Sequence, residues 1–364
     1  MTVDMGAGEE IIDLQGADLR VHESESSPFC NGGAASPYEV FVSGSPDGPW
    51  ISIGTGSGVA DFDLASSGLR SCRYVRVEDR SAGQPDDGSA TPGADIAGFE
   101  TLHLGRVSVF VGQGFDKCEI PSASELQTWK ANSPYEVVNL YIGGSRRSCA
   151  NSALTASYLA QLSQQGWEFI PTWVGPQCLY EDISDDLTTA YNQGVAEAKA
   201  AVAVAANLGL TLPESSGTII YYDLEGYNSA NPTCREPAKS FVSGWTAELR
   251  ASGNLAGVYG SSGASNISDF TEIENVPDAI WPAGGGFWST EYSPSATVWG
   301  NAYVSDDLWN EHQRIHQYTA GHQEEWGGIS LTIDCDVIDG IVASLGLSYS
   351  QEYLTYLPLI LCAQ

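Results

Sequence analysis

Basic residues are scarce in this chain. Its 364 residues include 15 Lys and Arg against 46 Asp and Glu, a formal net charge of −31. Such a field repels nucleic acid and anionic membrane surfaces, which argues against both as partners. The acidity reads most simply as solvation of an exposed exterior, and otherwise as acids focused in a cleft or holding calcium. No apolar run reaches the ~20 residues a membrane-spanning helix needs. The stretch Leu354–Leu361 is short and broken by Pro358. It is expected to be a docked terminal strand, a tail through which copies self-assemble, or the remnant of a longer chain.

Several catalytic and cofactor motifs are also missing. The five histidines, His22, His103, His312, His316 and His322, form no H-E-x-x-H pattern. His312 and His316 have i, i+4 spacing, but Gln317–Tyr318 reads as strand, which argues against a helical metal site. No G-x-S-x-G occurs in a strand–turn–helix setting. VGQGFD, residues 111–116, has two glycines before its acid and no third, so a dinucleotide fingerprint is absent. The eight cysteines, Cys30, Cys72, Cys118, Cys149, Cys178, Cys234, Cys335 and Cys362, contain no C-x-x-C pair. Disulfides outside the cytoplasm are the better reading, so a secreted or cell-surface protein is expected. The N-terminal MTVDMGAGEEIIDL lacks the basic and apolar regions of a leader; the expectation is that a leader has been removed or that the sequence begins after one.

What is present falls into two parts. Residues 1–105 hold short β-rich runs such as LRVHE, YEVFVSG, WISIG and YVRVED between Gly, Ser, Pro and Asp clusters. That pattern predicts an antiparallel β-sandwich. Residues 106–346 alternate strands with helices, and 347–364 form a tail. Eight strands are predicted at 107–116, 137–144, 167–175, 218–225, 255–260, 279–283, 314–319 and 331–337. Helices are predicted at 122–130, 151–165, 185–208 and 236–251, the first opened by a Ser122/Glu125 capping box. Gly166, Gly209 and Gly253 stand just past three of them as stop signals. The alternation predicts an α/β TIM-type (β/α)8 barrel, with a doubly wound open sheet as the structural alternative.

In such a barrel the chemistry sits at the C-terminal strand ends. The first strand ends on Asp116, the fourth on Asp223 and Glu225, and the eighth carries Asp334 and Asp336. Residues two apart on a strand share a face, and first and last strands adjoin in a closed barrel, so these acids should converge. Crowded carboxylates raise one another's pKa, the arrangement glycosidic cleavage uses. The alternative is that each acid caps a loop or pairs with Arg146, Arg147 or Arg235. Aromatic faces stack on sugars; Tyr141, Trp173, Tyr222 and Trp281 are expected to line the cleft.

GFDKCEIPSASELQTWKANSPYEVVNLYIGG, GWEFIPTWVGPQ, IIYYDLEGYN, FVSGWTAELRASGNLAGVYG and IHQY resemble the secreted glycoside hydrolase-like barrel family of bacterial envelope proteins. That family is similar to the family 25 lysozymes, which cut peptidoglycan. The resemblance implies Glu225 as general acid, Asp223 as the residue that helps a substrate acetamide attack, and Asp116 and Asp334 setting charge and position. His316-Gln317-Tyr318 stands where the lysozymes have W-Q-Y, and Asp334-Cys335-Asp336 where they have D-x-N, adding Gln317, Tyr318 and Asp336 to the substrate-binding set. It implies peptidoglycan or another N-acetylated polysaccharide as partner and no cofactor for catalysis. It supports a Cys118–Cys149 disulfide, with Cys178–Cys234 and Cys30–Cys72 as further pairings. The first domain resembles a discoidin-type jelly roll on GADLRVHE, YEVFVSGSPDGPWISIG and RYVRVEDRS. Such modules bind sugars or make surface contacts; Asp18, Glu23, Asp95 and Glu100 are candidate calcium ligands, or acids that stabilise turns. A non-catalytic, filament- or sheath-forming surface scaffold is the alternative function. Asn266-Ile-Ser is a glycosylation sequon.

Overall fold

A computed structural model describes residues 1–5, 11–13, 17–23, 36–69, 71–80, 94, 96–101, 107–211, 217–262, 266–284, 292–293 and 295–345. The predicted tail, Asp95, Cys30 and Cys362 lie outside them. Arg106–Leu347 form one compact unit and Met1–Gly105 belong to another.

The N-terminal unit is sheet-rich. Its strands are β1 (Thr2–Asp4), β2 (Ile11–Ile12), β3 (Leu19–Glu23), β4 (Tyr38–Ser43), β5 (Ile51–Gly56), β6 (Ala60–Phe62), β7 (Ser71–Cys72), β8 (Tyr74–Asp79) and β9 (Ile96–Thr101). They pair antiparallel as a four-stranded sheet β1-β8-β4-β5, a three-stranded sheet β6-β3-β9 and the pair β2-β7. Alternation does the folding: Leu19 and Val21, Tyr38, Val40 and Val42, and Val75 and Val77 turn inward into one hydrophobic cluster.

The second unit begins as β/α alternation. Its elements are β10 (Val107–Asp116), α1 (Ala123–Asn132), β11 (Tyr135–Gly143), α2 (Ala156–Gln164), β12 (Glu168–Trp173), α3 (Leu187–Leu208), β13 (Ile219–Asp223), α4 (Pro232–Ala251), β14 (Leu255–Ser261), β15 (Ala279–Ala283), β16 (Arg314–Trp326) and β17 (Ile329–Ala343). The capping box forms, Ser122 accepting from Glu125 N–H and its own N–H donating to the Glu125 carboxylate. Gly209 closes α3 with φ +78°, a conformation glycine takes without steric cost. The eight strands pair in sequence order and close, β17 returning to β10.

Two departures from the predicted (β/α)8 pattern stand out. Among the described residues no α-helix follows β14, β15 or β16. In addition, β16 and β17 are a long antiparallel hairpin, so β17 runs antiparallel to both neighbours. The cause is local: Gly327 and Gly328, at φ +60° and +82°, make the tight turn that sends the chain straight back.

Helices α3 and α4 approach at two glycines. A Cβ on Gly194 would fall 2.0 Å from the Phe241 carbonyl oxygen, and one on Gly244 2.1 Å from that of Tyr191. In an exposed helix Gly→Ala stabilises by about 1 kcal/mol. Here Gly194→Ala is expected to destabilise by about 1–3 kcal/mol, read as a lower urea midpoint, because backbone must move.

Candidate active site

Five acids gather where β10 and β13 end; Asp334 and Asp336, expected at a strand end, come instead from the middle of β17, which passes that end antiparallel. Asp116 of β10 is in register with Asp334 of β17, and Gly114 with Asp336. On β13 Ile219, Tyr221 and Asp223 share the inward parity, while Ile220 and Tyr222, with Leu224 just past the strand, turn out toward the helices. Asp116, Asp223 and Asp336 are buried, and Glu225, just past the strand, is exposed.

A hydrogen-bond chain ties the cluster together. The Tyr141 hydroxyl donates to Asp116 Oδ1 at 3.1 Å, and the Gln317 amide donates to Asp116 Oδ2 at 2.7 Å. Gln317 Oε1 accepts from the Tyr259 hydroxyl at 3.1 Å. Trp281 Nε1 donates to Asp336 Oδ1 at 2.9 Å, and its ring meets Tyr259 edge-on at 4.9 Å. Asp334 Oδ1 accepts from the Gly321 N–H. Asp223 Oδ1 and Asp336 Oδ2 are buried with no hydrogen-bond partner among the described residues.

Burial and like charge load this cluster with protons. Asp116 is raised to about 7 by burial and then by Asp334, against the pull of Gln317 and Tyr141. Asp223 is raised to about 8 by burial, then by Glu225 and Asp116. Asp336 is raised well above the carboxylate range by burial and Asp116. Among the described residues no arginine pairs with these acids. Arg146 pairs with Asp182, Arg235 with Asp269, and Arg147 donates to the carbonyls of Tyr141 and Ala150.

A stability effect follows. Below pH ~4 Asp223 is protonated both folded and unfolded and contributes nothing. From there to about 8 the unfolded chain has released a proton that the folded chain keeps. Stability therefore falls by about 1.4 kcal/mol per pH unit for this group, and levels above that window. Asp223→Asn is expected to flatten part of that slope and to exceed wild type in stability at pH 8, measured by urea unfolding across pH 4–9.

The predicted site residues divide by strand parity. Tyr141, Trp281, Gln317 and Asp336 join Asp116, Asp223, Asp334 and Glu225. Trp173, Tyr222 and Tyr318 do not: their parity places them between sheet and helices. Trp173 Nε1 donates to Glu197 on α3, Tyr222 packs on Phe241 and Trp245 of α4, and Tyr318 donates to Gln113. Gln177 was not foreseen. Buried, it donates to the carbonyls of Asp223 (2.7 Å) and Gly175 (3.2 Å) and accepts from the Glu225 N–H (2.8 Å). Its only signal is its place just after β12.

Both barrel disulfides form, Cys118–Cys149 and Cys178–Cys234, each with Cα atoms 5.6 Å apart. Cys30 of the third pairing is outside the described residues. Asn266 of the sequon is buried, its amide placed between Tyr227 N–H and the Glu225 carbonyl, so it is no glycosylation acceptor in the folded chain. Among the described residues of the N-terminal unit the acids expected as calcium ligands do not come together as one group. Glu23 accepts from the N–H groups of Ser36 and Gly58 and serves as a loop staple. Asp18 instead groups with Asp13 and Asp63, their oxygens within 4.8 Å of one another. Asp95 and the Glu100 side chain are not described. Among the described residues the barrel acids form no such group.

Residues 127–338 match the family model described as "Rv2525c-like, glycoside hydrolase-like domain". The chain belongs to this family. The Rv2525c-like match includes Asp223, Glu225, Asp334 and Asp336, and Asp116 precedes it. No curated protein matches the chain in sequence. Among solved structures, an uncharacterized B. stearothermophilus protein is 15% identical, covering 62% of this chain and 95% of that one, with TM-score 0.44. The Mycobacterium tuberculosis Tat-secreted protein Rv2525c, in complex with L-tartrate, is 15% identical over 63% of this chain and 96% of its own, TM-score 0.41. A Streptococcus pneumoniae glycosyl hydrolase 25 is 14% identical over 62% and 86%, TM-score 0.35. Among the described residues no helix is long and apolar enough to cross a membrane.

Proposed function

We infer that the second unit is a TIM-type barrel variant that cleaves an N-acetylated polysaccharide, with peptidoglycan as the first candidate. One observation carries this reading: acids from three separate strands share one end of the closed sheet, and among the described residues no arginine pairs with them. Exposed Glu225 meets the glycan and protonates the leaving oxygen. Asp223, buried beneath it, orients the substrate acetamide for attack on the sugar carbon. Asp116, held by Tyr141 and Gln317, supplies charge that stabilises the cationic transition state once it ionises, above about pH 7. Asp334 and Asp336 set that charge, and half-buried Tyr141 borders the sugar; Trp281, 1% exposed, lies beneath the cleft and holds Asp336 instead of meeting the glycan. The chemistry as proposed needs no cofactor.

The first unit, on this reading, is a discoidin-like jelly roll that holds the protein to a glycan or cell surface. Calcium at Asp18 is part of that proposal. The protein is proposed to be secreted.

Digestion of purified peptidoglycan by wild type and Glu225→Gln, scored by released reducing ends, tests the enzyme. Absent or equal release in the two would remove it and leave a binding scaffold.

A further inference from the structure

The loop after β12 carries two side chains that the acid cluster does not use. Leu179 and Tyr180, in a 3-10 turn at Cys178–Tyr180, are 56% and 55% exposed. Single exposed apolar residues are common. These two sit on a loop fixed at every side. Cys178 is bonded to Cys234 of α4. Gln177, one residue earlier, is hydrogen-bonded to the backbone of Asp223 and Glu225. Asp182 N–H donates back to the Gln177 carbonyl at 3.1 Å, and Gln177 N–H to Asp182 Oδ2 at 3.2 Å. Arg146, from the loop after β11, grips Asp182 with two hydrogen bonds, and its guanidinium lies 4.7 Å from the Tyr180 ring centroid.

Holding an exposed aromatic ring rigid has a use in recognition. The ordering entropy has been spent before a ligand arrives. A pyranose ring offers an apolar C–H face with a hydroxyl rim. Tyr180 and Leu179 match the face, and the Arg146–Asp182 pair matches the rim.

We propose that Tyr180 and Leu179 form a sugar subsite beside Glu225, stacking a neighbouring ring of the same glycan chain. Continuity with Glu225 through Gln177 makes the occupant a residue of that chain rather than a separate ligand. This rests on the glycan reading above.

The test uses the full chain with Glu225→Gln, pelleted with insoluble peptidoglycan. Adding Tyr180→Ala should weaken binding about three- to tenfold, and Tyr180→Trp should retain it. Unchanged affinity with Tyr180→Ala, or no binding by the parent, overturns the subsite. The two readings fail separately. Tyr180-dependent binding without cleavage by wild type keeps the subsite and removes the hydrolase. Cleavage by wild type with Tyr180-independent binding does the reverse.

Discussion

Glu225→Gln is expected to slow peptidoglycan cleavage by about 10²–10⁴-fold, the range a positioned general acid contributes. The amide keeps the size of the carboxylic acid but has no proton to give. The side chain is exposed, so stability should move by less than about 0.5 kcal/mol, and lost activity would not be lost fold. The leaving group separates proton donation from other roles. An N-acetylglucosaminide with a nitrophenolate leaving group needs no protonation, so on it the Glu225→Gln defect should shrink to about tenfold or less. Asp223→Asn should stay slow on both substrates, because its proposed work is on the acetamide. An equal Glu225→Gln defect on both would take the general-acid role from Glu225.

Much of this site was legible from strand parity. Asp116, Asp223, Asp334 and Asp336 could be placed because each lies on a strand whose ends turn signals mark, and period two fixes the face. Parity also explains the misplaced aromatics. Tyr222 lies one residue before Asp223, so if Asp223 points in, Tyr222 points out; aromatic character suggested a sugar platform where alternation demanded core. Trp281, on the inward parity of β15, was legible by the same rule. The antiparallel β16–β17 return was less visible, since Gly327-Gly328 is a hairpin signal inside a region whose earlier strands alternate with helices. Gln177 and the Leu179–Tyr180 turn were not legible. Their positions depend on a loop path fixed by a disulfide and by backbone carbonyls, neither of which leaves a periodic trace.

Gln177 therefore carries the second large expectation. Its one amide serves three backbone groups, two of them belonging to the acid-bearing residues Asp223 and Glu225. Gln177→Leu keeps approximate volume and leaves those groups without a partner in a buried place. The expected cost is about 2–4 kcal/mol of stability. Gln177→Glu is the sharper probe. An oxygen can still accept from the Glu225 N–H, but both donations to carbonyls are lost, and a third carboxyl enters beside Asp223 and Glu225. An ångström of drift in the Glu225 backbone is enough to cost about 10²-fold in rate. Both variants should lose kcat far more than they raise KM, because the glycan still has half-buried Tyr141 to rest against. Gln177→Glu should also shift the acid limb of the pH–rate profile, which a purely structural defect would not do. Wild-type rate, melting temperature and pH profile in Gln177→Glu together would mean that the loop after β12 holds itself in place and that the amide merely fills space.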